Sequence, residues 1–576
     1  MVFRDENSLL IKLVNDEILA SKHAHYANII NLQHLKRDLL ATAQQYHQAS
    51  LADTQKKVNT ILQSIGTQLD DLAKRSIGLS RSERILSSLC FKEVETREER
   101  IDSAETGTYS WAFGSWDVDG HGMQTHLLNW LEREASKPFM ITGKPGSGKS
   151  TFMKFVARHS ETQTALKRWS ADRDLIIASF YFWSSGDPMQ RSKNGLVRSL
   201  LYQILCKDPG MIRKIVPQAR WEDASMERHA YKSWTNEDIL TAFQLVVKHE
   251  IENLNCNFCF FIDGLDEYEG PDLELVRHLG TLSSSRRVKL CLSSRPRNVF
   301  LQHFPSSGPC YLELHHHTQD DIKQLVESKF LELDGLMDIS PTELVPLQEA
   351  VVERSDGVFL WVVLILKELV KGLEPPVTVP ELLDRLSMMP PTLDAYFQKI
   401  LDGLDKRYRR FTARLLLMSN LAIFNMSLPE AYCLWELNQT YEDFLPAARM
   451  LEHGARSLPT NWKMEAMTRT RKCCGDLLHV DISGHLEKVH KTVVDFLKVQ
   501  DVKAHLLTLA EWSDISDLHL NSCRVSILAA SYPGLEEPSF IAGSFASHAK
   551  LYEILIGQPC TELVHQFDKT LCSSYM

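Results

Sequence analysis

Short apolar runs alternate with helical patterns between about residues 126 and 320. The runs occupy 139–142, 174–182, 258–262, 288–292 and 310–314, and their length is typical of buried strands. Apolar residues between the runs recur at helical spacing. This alternation predicts a parallel sheet covered by helices on both faces, with any ligand at the carboxyl ends of the strands.

The pattern is helical on both sides of this region. We expect an N-terminal helical region at 1–80, which has no proline and repeats apolar residues every three or four positions from Val58 to Leu72. It is either an effector or self-association module of coiled-coil type, or a helical stalk that packs on the core. The further predicted segments are a linker at 81–125, an NTPase domain at 126–320, a helical domain at 321–405, a winged-helix domain at 406–500 and helices of unknown role at 501–576.

The first strand leads directly into a phosphate-binding sequence. Its residues are Gly143, Lys144, Pro145, Gly146, Ser147, Gly148, Lys149, Ser150 and Thr151. Gly143 and Gly148 let the backbone close around an anion at the start of a helix. Lys149 reaches the terminal phosphates, and the Ser150 hydroxyl is a ligand for Mg²⁺. The loop therefore predicts a nucleotide site.

Acidic residues follow the strand at 258–262. They belong to the sequence Asp263, Gly264, Leu265, Asp266 and Glu267. Asp263, at the strand end, is predicted to hold Mg²⁺ together with Ser150. Asp266 or Glu267 is predicted to orient and deprotonate the attacking water.

The strand at 288–292 is followed by Arg295. A cation at the end of a strand in the same sheet can contact the γ-phosphate and distinguish a triphosphate from a diphosphate. The alternative without a functional role is a solvated arginine in a loop. The order and spacing of the three segments favour the sensor role for Arg295.

Composition narrows the class of protein. The length of 576 residues suggests roughly four domains. A net charge of −10 gives no electrostatic footprint for nucleic acid, so no nucleic-acid partner is expected. The longest apolar stretch, 358–366, is too short to span a bilayer, and the N-terminus lacks the apolar segment of a secretory signal. Together with cysteines inside predicted core strands, this predicts a cytoplasmic protein.

The three nucleotide-binding segments together resemble the NACHT group of signal-transducing P-loop NTPases, in particular the fungal set related to animal NOD-like immune receptors. The paired-acid sequence 263–267 and the sensor sequence 294–296 carry the resemblance. Further matches are the aromatic sequence 108–113, the strand sequence 180–183, the helix start at 355–361 and the winged-helix sequence 489–497.

The resemblance implies a STAND-type switch that exchanges ADP for ATP with Mg²⁺. His490 would contact the β-phosphate of ADP together with Lys149 and hold the chain closed. ATP would release the winged helix and allow self-association, so that the N-terminal helices engage an unknown protein effector. The expected setting is fungal-type innate immunity or heterokaryon-incompatibility-like signalling, with slow NTP hydrolysis.

Alternatives remain at three points of this interpretation. Relatives in the wider apoptotic and plant-resistance group carry a proline two residues after the glycine equivalent to Gly357. This chain has Phe359 there, so the sequence does not decide between ATP and GTP. His490 can instead be a core histidine in a short helix. The chain can also be a nucleotide-binding scaffold without significant hydrolysis, because the motifs predict binding more firmly than turnover.

Overall fold

The computed structural model describes residues 81–89, 96–116, 123–124, 126–133, 137–223, 234–247, 255–333, 342–371, 378–421, 426–440, 457–481 and 484–575. These belong to two compact units. Of the described residues, 81–89, 197–223 and 234–247 belong to the smaller unit, and the others belong to the larger. The predicted N-terminal helical region, 1–80, lies outside the described residues.

The smaller unit is helical where it is described. Its helices are α1 (residues 81–89), most of α6 (Lys193–Lys207), α7 (Ile212–Ile215), α8 (Gln218–Asp223) and α9 (Asn236–Val247). Two polar contacts fasten α1 to this unit. The Arg198 Nε donates to the Leu89 carbonyl at 2.8 Å, and the Trp234 Nε1 donates to the Ser88 hydroxyl at 2.8 Å.

A five-stranded parallel sheet is the centre of the larger unit. Its strands are β3 (Phe139–Thr142), β4 (Asp174–Tyr181), β5 (Cys256–Asp263), β6 (Val288–Ser294) and β7 (Tyr311–Glu313), in the order β4-β5-β6-β3-β7. A separate hairpin is formed by β1 (Ser115–Trp116) and β2 (Met123–Gln124). Every residue of β3, β5 and β6 is buried, as expected for parallel strands covered on both faces.

Strand register aligns the carboxyl ends where the sequence predicts the site. Tyr181 pairs with Asp263, Ile262 with Leu292, and Thr142 with Ser294. The helices of this region are α2 (Thr96–Arg100), α3 (His126–Glu132), α4 (Lys149–Arg158), α5 (Ser160–Ser170), α10 (Asp272–Ser283) and α11 (Asn298–His303). Apolar residues of α4 pack in one buried cluster with β3, β5 and β6. The predicted α/β core with a parallel sheet is confirmed.

The chain after β7 is mostly helical. Its first helices are α12 (Gln319–Leu333), α13 (Val345–Ser355), α14 (Phe359–Val370), α15 (Val379–Ser387) and α16 (Leu393–Asp402). The next group is α17 (Arg409–Leu421), α18 (Leu428–Thr440), α19 (Trp462–Cys474), the antiparallel hairpin β8 (Leu478–Val480) and β9 (Leu486–Lys488), and α20 (Lys491–Lys498). The last are α21 (Gln500–Ala510), α22 (Ile515–Ala530), α23 (Pro538–Ile556) and α24 (Thr561–Tyr575).

One buried apolar cluster runs through this helical part, from Ile322 in α12 to Phe567 in α24. The winged-helix assignment of 406–500 and the other predicted domain boundaries remain predictions. Among the described helices, each is too short or too polar to cross a bilayer.

Candidate nucleotide site

The loop between β3 and α4 has the backbone shape that its glycines predict. Gly146 and Gly148 have φ angles of 76° and 82°, in the left-handed region that a side chain disfavours. A Cβ at Gly143 would come within 2.7 Å of the Ser147 hydroxyl oxygen. That hydroxyl is buried and has no hydrogen-bond partner among the described residues. The loop therefore has the glycine geometry and the unsatisfied polar atom that suit a bound phosphate.

Lys149 is the first residue of α4, and its side chain turns back over the loop. Its ammonium donates to the carbonyl oxygens of Gly143 at 2.8 Å and Lys144 at 2.9 Å. Burial lowers the pKa of Lys149 to about 8, and the nearby charge of Arg295 acts in the same direction. A desolvated ammonium at this position gains more from an anionic phosphate than it would in water.

The two residues predicted to hold Mg²⁺ lie together. Asp263 ends β5, is buried, and accepts hydrogen bonds from the hydroxyls of Ser150 and Ser293. Burial raises the pKa of Asp263, and these two hydrogen bonds oppose the rise. A hydroxyl beside a carboxylate is a donor set that suits Mg²⁺. Ser293 was not among the predicted residues, although its place at the end of β6 is a signal for it.

The second acid, Asp266, is held by basic residues from two parts of the chain. Its Oδ2 lies 2.5 Å from the Lys491 ammonium and 3.4 Å from the Arg295 Nε, and its Oδ1 accepts from the Arg295 backbone N–H at 3.1 Å. Its carbonyl accepts from Lys491 and from Arg297, both at 3.0 Å. Burial opposes ionisation, but Lys491 and Arg295 outweigh it and lower the pKa of Asp266 to about 2.

Arg295 bridges the sheet and α20. Besides its contacts to Asp266, its Nη1 lies 2.6 Å from the Asp495 carboxylate. Lys491 and Asp495 are four residues apart in α20, so they share one face of that helix. We call the two pairs, Lys491 with Asp266 and Asp495 with Arg295, the α20 latch. Sequence analysis missed Lys491 and Asp495, although both lie in the sequence 489–497 that carries the resemblance.

Glu267 is the other predicted acid, and it faces the loop after β4. Its Oε2 accepts from the Ser184 backbone N–H at 2.8 Å. Burial raises the pKa of Glu267, and the charge of Lys491 opposes the rise. The structure thus separates the two acids by their environment, because Asp266 is ion-paired whereas Glu267 has a hydrogen-bonded, desolvated carboxyl.

His490 caps the N-terminus of α20. Its Nδ1 accepts from the Thr492 backbone N–H at 3.1 Å and lies 2.7 Å from the Thr492 hydroxyl. Burial lowers the pKa of His490 to about 3, and the charges of Arg295 and Lys149 act in the same direction. The ring is therefore neutral at physiological pH, and an accepting Nδ1 leaves its proton on Nε2. The structure places His490 in the electrostatic range of the predicted phosphate-binding lysine.

An aromatic group covers the other side of the loop. The Tyr109 N–H and the Trp111 Nε1 each donate to the Asp321 carboxylate at 2.8 Å, and Trp111 stacks on Phe152 of α4. Phe359 packs edge to face on Tyr109, with ring centroids 6.1 Å apart, and a Cβ at Gly148 would come within 3.1 Å of its Cδ2. The residue that replaces the proline of relatives therefore lies directly against the loop.

The remaining loop residues have structural places. The Lys144 ammonium forms an ion pair with Asp356, and the Ser147 N–H donates to the Lys144 carbonyl. Pro145 lies in the turn, and Thr151 is in the first turn of α4. All predicted site residues are thus on or beside the carboxyl end of the sheet, where their chemical roles remain predictions.

Residues 121–295 match a protein-family model described as Nephrocystin 3, N-terminal. No curated protein matches the chain. Among solved structures, the Aeropyrum pernix ORC1 protein in complex with DNA is similar over 66% of this chain and 91% of its own, at 14% identity and a TM-score of 0.28.

Drosophila ORC bound to DNA is similar over 65% of this chain and 84% of its own, at 12% identity and a TM-score of 0.28. Cdc6p from Pyrobaculum aerophilum is similar over 66% and 90%, at 10% identity and a TM-score of 0.24. Scores this low carry no argument about this chain. The parallel sheet, the loop after β3 and the family match together confirm a P-loop NTPase fold and agree with the resemblance to NACHT-type NTPases.

Proposed function

We propose that the chain is a nucleotide-dependent signalling switch of the NACHT type, which binds ADP or ATP at the loop 143–151 and changes its domain arrangement on exchange. The observation that carries the proposal is the α20 latch. One helix, α20, is ion-paired both to the second acid, Asp266, and to the predicted sensor, Arg295.

Nucleotide binding is supported by the loop itself. Lys149 and the backbone of 143–148 would hold the phosphates, and the unpartnered Ser147 hydroxyl offers a further donor. Ser150 and Asp263 would hold Mg²⁺, which supplies positive charge to the phosphate oxygens. Phe359, which takes the position of the expected proline, has no donor or acceptor that would select adenine over guanine, so both ATP and GTP fit the proposal.

The latch gives the switch a physical basis. While Asp495 neutralises Arg295, this arginine is not available to a γ-phosphate, and ATP must compete with Asp495 for it. ADP has no γ-phosphate, so it leaves the pair intact, and the neutral His490 ring can donate its Nε2 proton to a β-phosphate. A ligand shifts such an equilibrium only by its difference in affinity for the two states. Here the contact between the γ-phosphate and Arg295 would make ATP bind the open state more tightly than ADP does.

The same contacts imply slow hydrolysis in the closed form. Asp266 cannot take a proton from water while Lys491 and Arg295 hold its pKa at about 2. Glu267, whose pKa is raised by burial, is the better placed general base. Release of α20 would change the surroundings of both acids, so turnover should follow opening.

The Asp263→Asn variant tests turnover. Asn keeps the size of the side chain but removes the charge that would hold Mg²⁺, so phosphate release from Mg·ATP should fall at least about tenfold. The measurement is steady-state phosphate release by the purified full chain, with the Lys149→Ala variant as the blank. If the wild type binds nucleotide but releases no more phosphate than that blank, the scaffold alternative replaces the NTPase.

The resemblance to NACHT-type NTPases extends the proposal to a role in signalling. Opening would permit self-association and bring the helices predicted at 1–80 to a protein effector, in fungal-type immunity or heterokaryon-incompatibility-like signalling. A cytoplasmic setting without a nucleic-acid partner belongs to the same proposal. The net charge of −10 supports the latter point, because it supplies no general attraction for phosphate backbones.

A further inference from the structure

Arg97 is a half-buried cation that the proposed switch has not used. It lies in α2, and its guanidinium carbon is 5.4 Å from the centre of the Trp183 ring. Its Nε is buried and has no hydrogen-bond partner among the described residues. Burying a charged donor without a partner is costly, so this nitrogen is suited to a ligand that supplies an acceptor.

Trp183 places this guanidinium at the acidic end of the sheet. The residue before it, Phe182, donates its N–H to the Asp263 carbonyl at 3.0 Å. The residue after it, Ser184, donates its N–H to the Glu267 carboxylate at 2.8 Å. The ring under Arg97 is therefore tied on both sides to residues of the second motif.

Electrostatics agree with this position. Burial raises the pKa of Glu267, and the charge of Arg97 opposes the rise. Burial lowers the pKa of His490, and the charge of Arg97 acts in the same direction. The charge of Arg97 therefore acts at the predicted base and at the cap of α20.

We propose that Arg97 is a further phosphate-binding residue of this site, whose guanidinium contacts the terminal phosphate of a bound nucleoside triphosphate. The inference rests on the proposed nucleotide site and adds a residue to it. A guanidinium offers several N–H donors in a planar fork that matches phosphate oxygens. Arg295 is already paired with Asp266 and Asp495, whereas the buried Nε of Arg97 has no partner among the described residues.

A second arginine of α2, Arg100, is bound to acidic residues of the hairpin. Arg100 stacks on the same Trp183 ring at 5.0 Å, and its guanidinium pairs with Asp481 at 3.2 Å and with Glu487 of β9. The acidic partners of Arg100 thus lie in and beside the hairpin, whereas the Nε of Arg97 has no hydrogen-bond partner among the described residues.

The test compares affinities for Mg·ATP and Mg·ADP by calorimetric titration of the full chain. Arg97→Ala should weaken ATP binding by about tenfold or more, the usual worth of a hydrogen bond to a charged group, and change ADP binding less than about twofold. Arg97→Lys should recover part of the loss because it restores the charge. Arg100→Ala is the matched control, and it should keep the ATP affinity because that side chain faces the hairpin.

Wild-type ATP affinity in Arg97→Ala, or an equal loss of ATP and ADP, would overturn the inference. If the wild type and the Lys149→Ala variant bind ATP equally, the nucleotide site itself is wrong, which is a separate outcome. Thermal melting checks the fold of each variant. Should Arg97→Ala not fold, Arg97→Gln keeps a polar stem over Trp183 and is judged by the same criteria.

Discussion

Lys149→Ala is expected to weaken binding of both ADP and ATP by about a hundredfold or more. The lost group is a desolvated ammonium, and charge-assisted hydrogen bonds to phosphate are each worth about 1.5–3 kcal/mol, with at least two such contacts at stake. The loss should be similar for the two nucleotides because both carry the β-phosphate that Lys149 is predicted to reach. Equilibrium titration with each nucleotide measures it.

Lys144→Ala is the matched control in the same loop. Its ammonium pairs with Asp356, whose side chain is 77% exposed, so its removal should change affinity by less than about threefold. An unchanged affinity in Lys149→Ala, with wild-type binding intact, would remove the loop from the nucleotide site.

The second large effect is expected from Lys491→Ala. This change leaves the carboxylate of Asp266 without its closest cation, and only 4% of that side chain is exposed. Removing one partner of a buried pair costs about 3–5 kcal/mol, although Arg295, whose Nε lies 3.4 Å from the same carboxylate, offsets part of this here. We expect the closed form to be weakened and bound ADP to dissociate at least about tenfold faster. Displacement of a fluorescent ADP analogue gives the rate.

Lys498→Ala controls for the removal of a lysine from the same helix. Lys498 is exposed at the end of α20 and belongs to neither ion pair of the latch, so its loss should leave the dissociation rate within about twofold. Equal ADP dissociation from the wild type and Lys491→Ala would mean that the α20 latch packs the domain without holding the nucleotide.

The sequence predicts the sheet well because its strands are short apolar runs with abrupt polar ends. The strand 139–142 is found as predicted, since a glycine stops it, and β5 and β6 extend the predicted runs by one or two residues at their ends. The predicted strand 174–182 ends one residue earlier, at Tyr181. The pairing of Ser150 with Asp263 follows from the same logic, because parallel strands bring their carboxyl ends to one edge.

Contacts between distant segments are not encoded in any local pattern. Lys491 and Asp266 are 225 positions apart, and the residues around either one do not predict that the two are in contact. The one available signal is their order, with a cation and an anion four residues apart in α20 opposite an acid and an arginine at the strand ends. The Asp321 carboxylate that holds Tyr109 and Trp111 is a similar case, since its sequence predicts only the start of a helix.

Phe359 marks a different limit. The family resemblance identifies the missing proline, but it does not say what a phenylalanine does in its place. The structure places the ring against Gly148 and Tyr109, at the mouth of the loop. A phenylalanine ring has no hydrogen-bond donor or acceptor that could distinguish adenine from guanine.

The central claim is that α20 holds the nucleotide site closed with ADP and leaves it with ATP. Amide hydrogen exchange tests this directly, in the wild type, at segments 293–297 and 490–498. The backbone N–H of Arg295 donates to Asp266, so it reports on the same contact from the sheet side. We predict that both segments exchange faster with a non-hydrolysable ATP analogue than with ADP. Equal protection in the two nucleotide states, with the nucleotide site saturated in each, would contradict this role of α20.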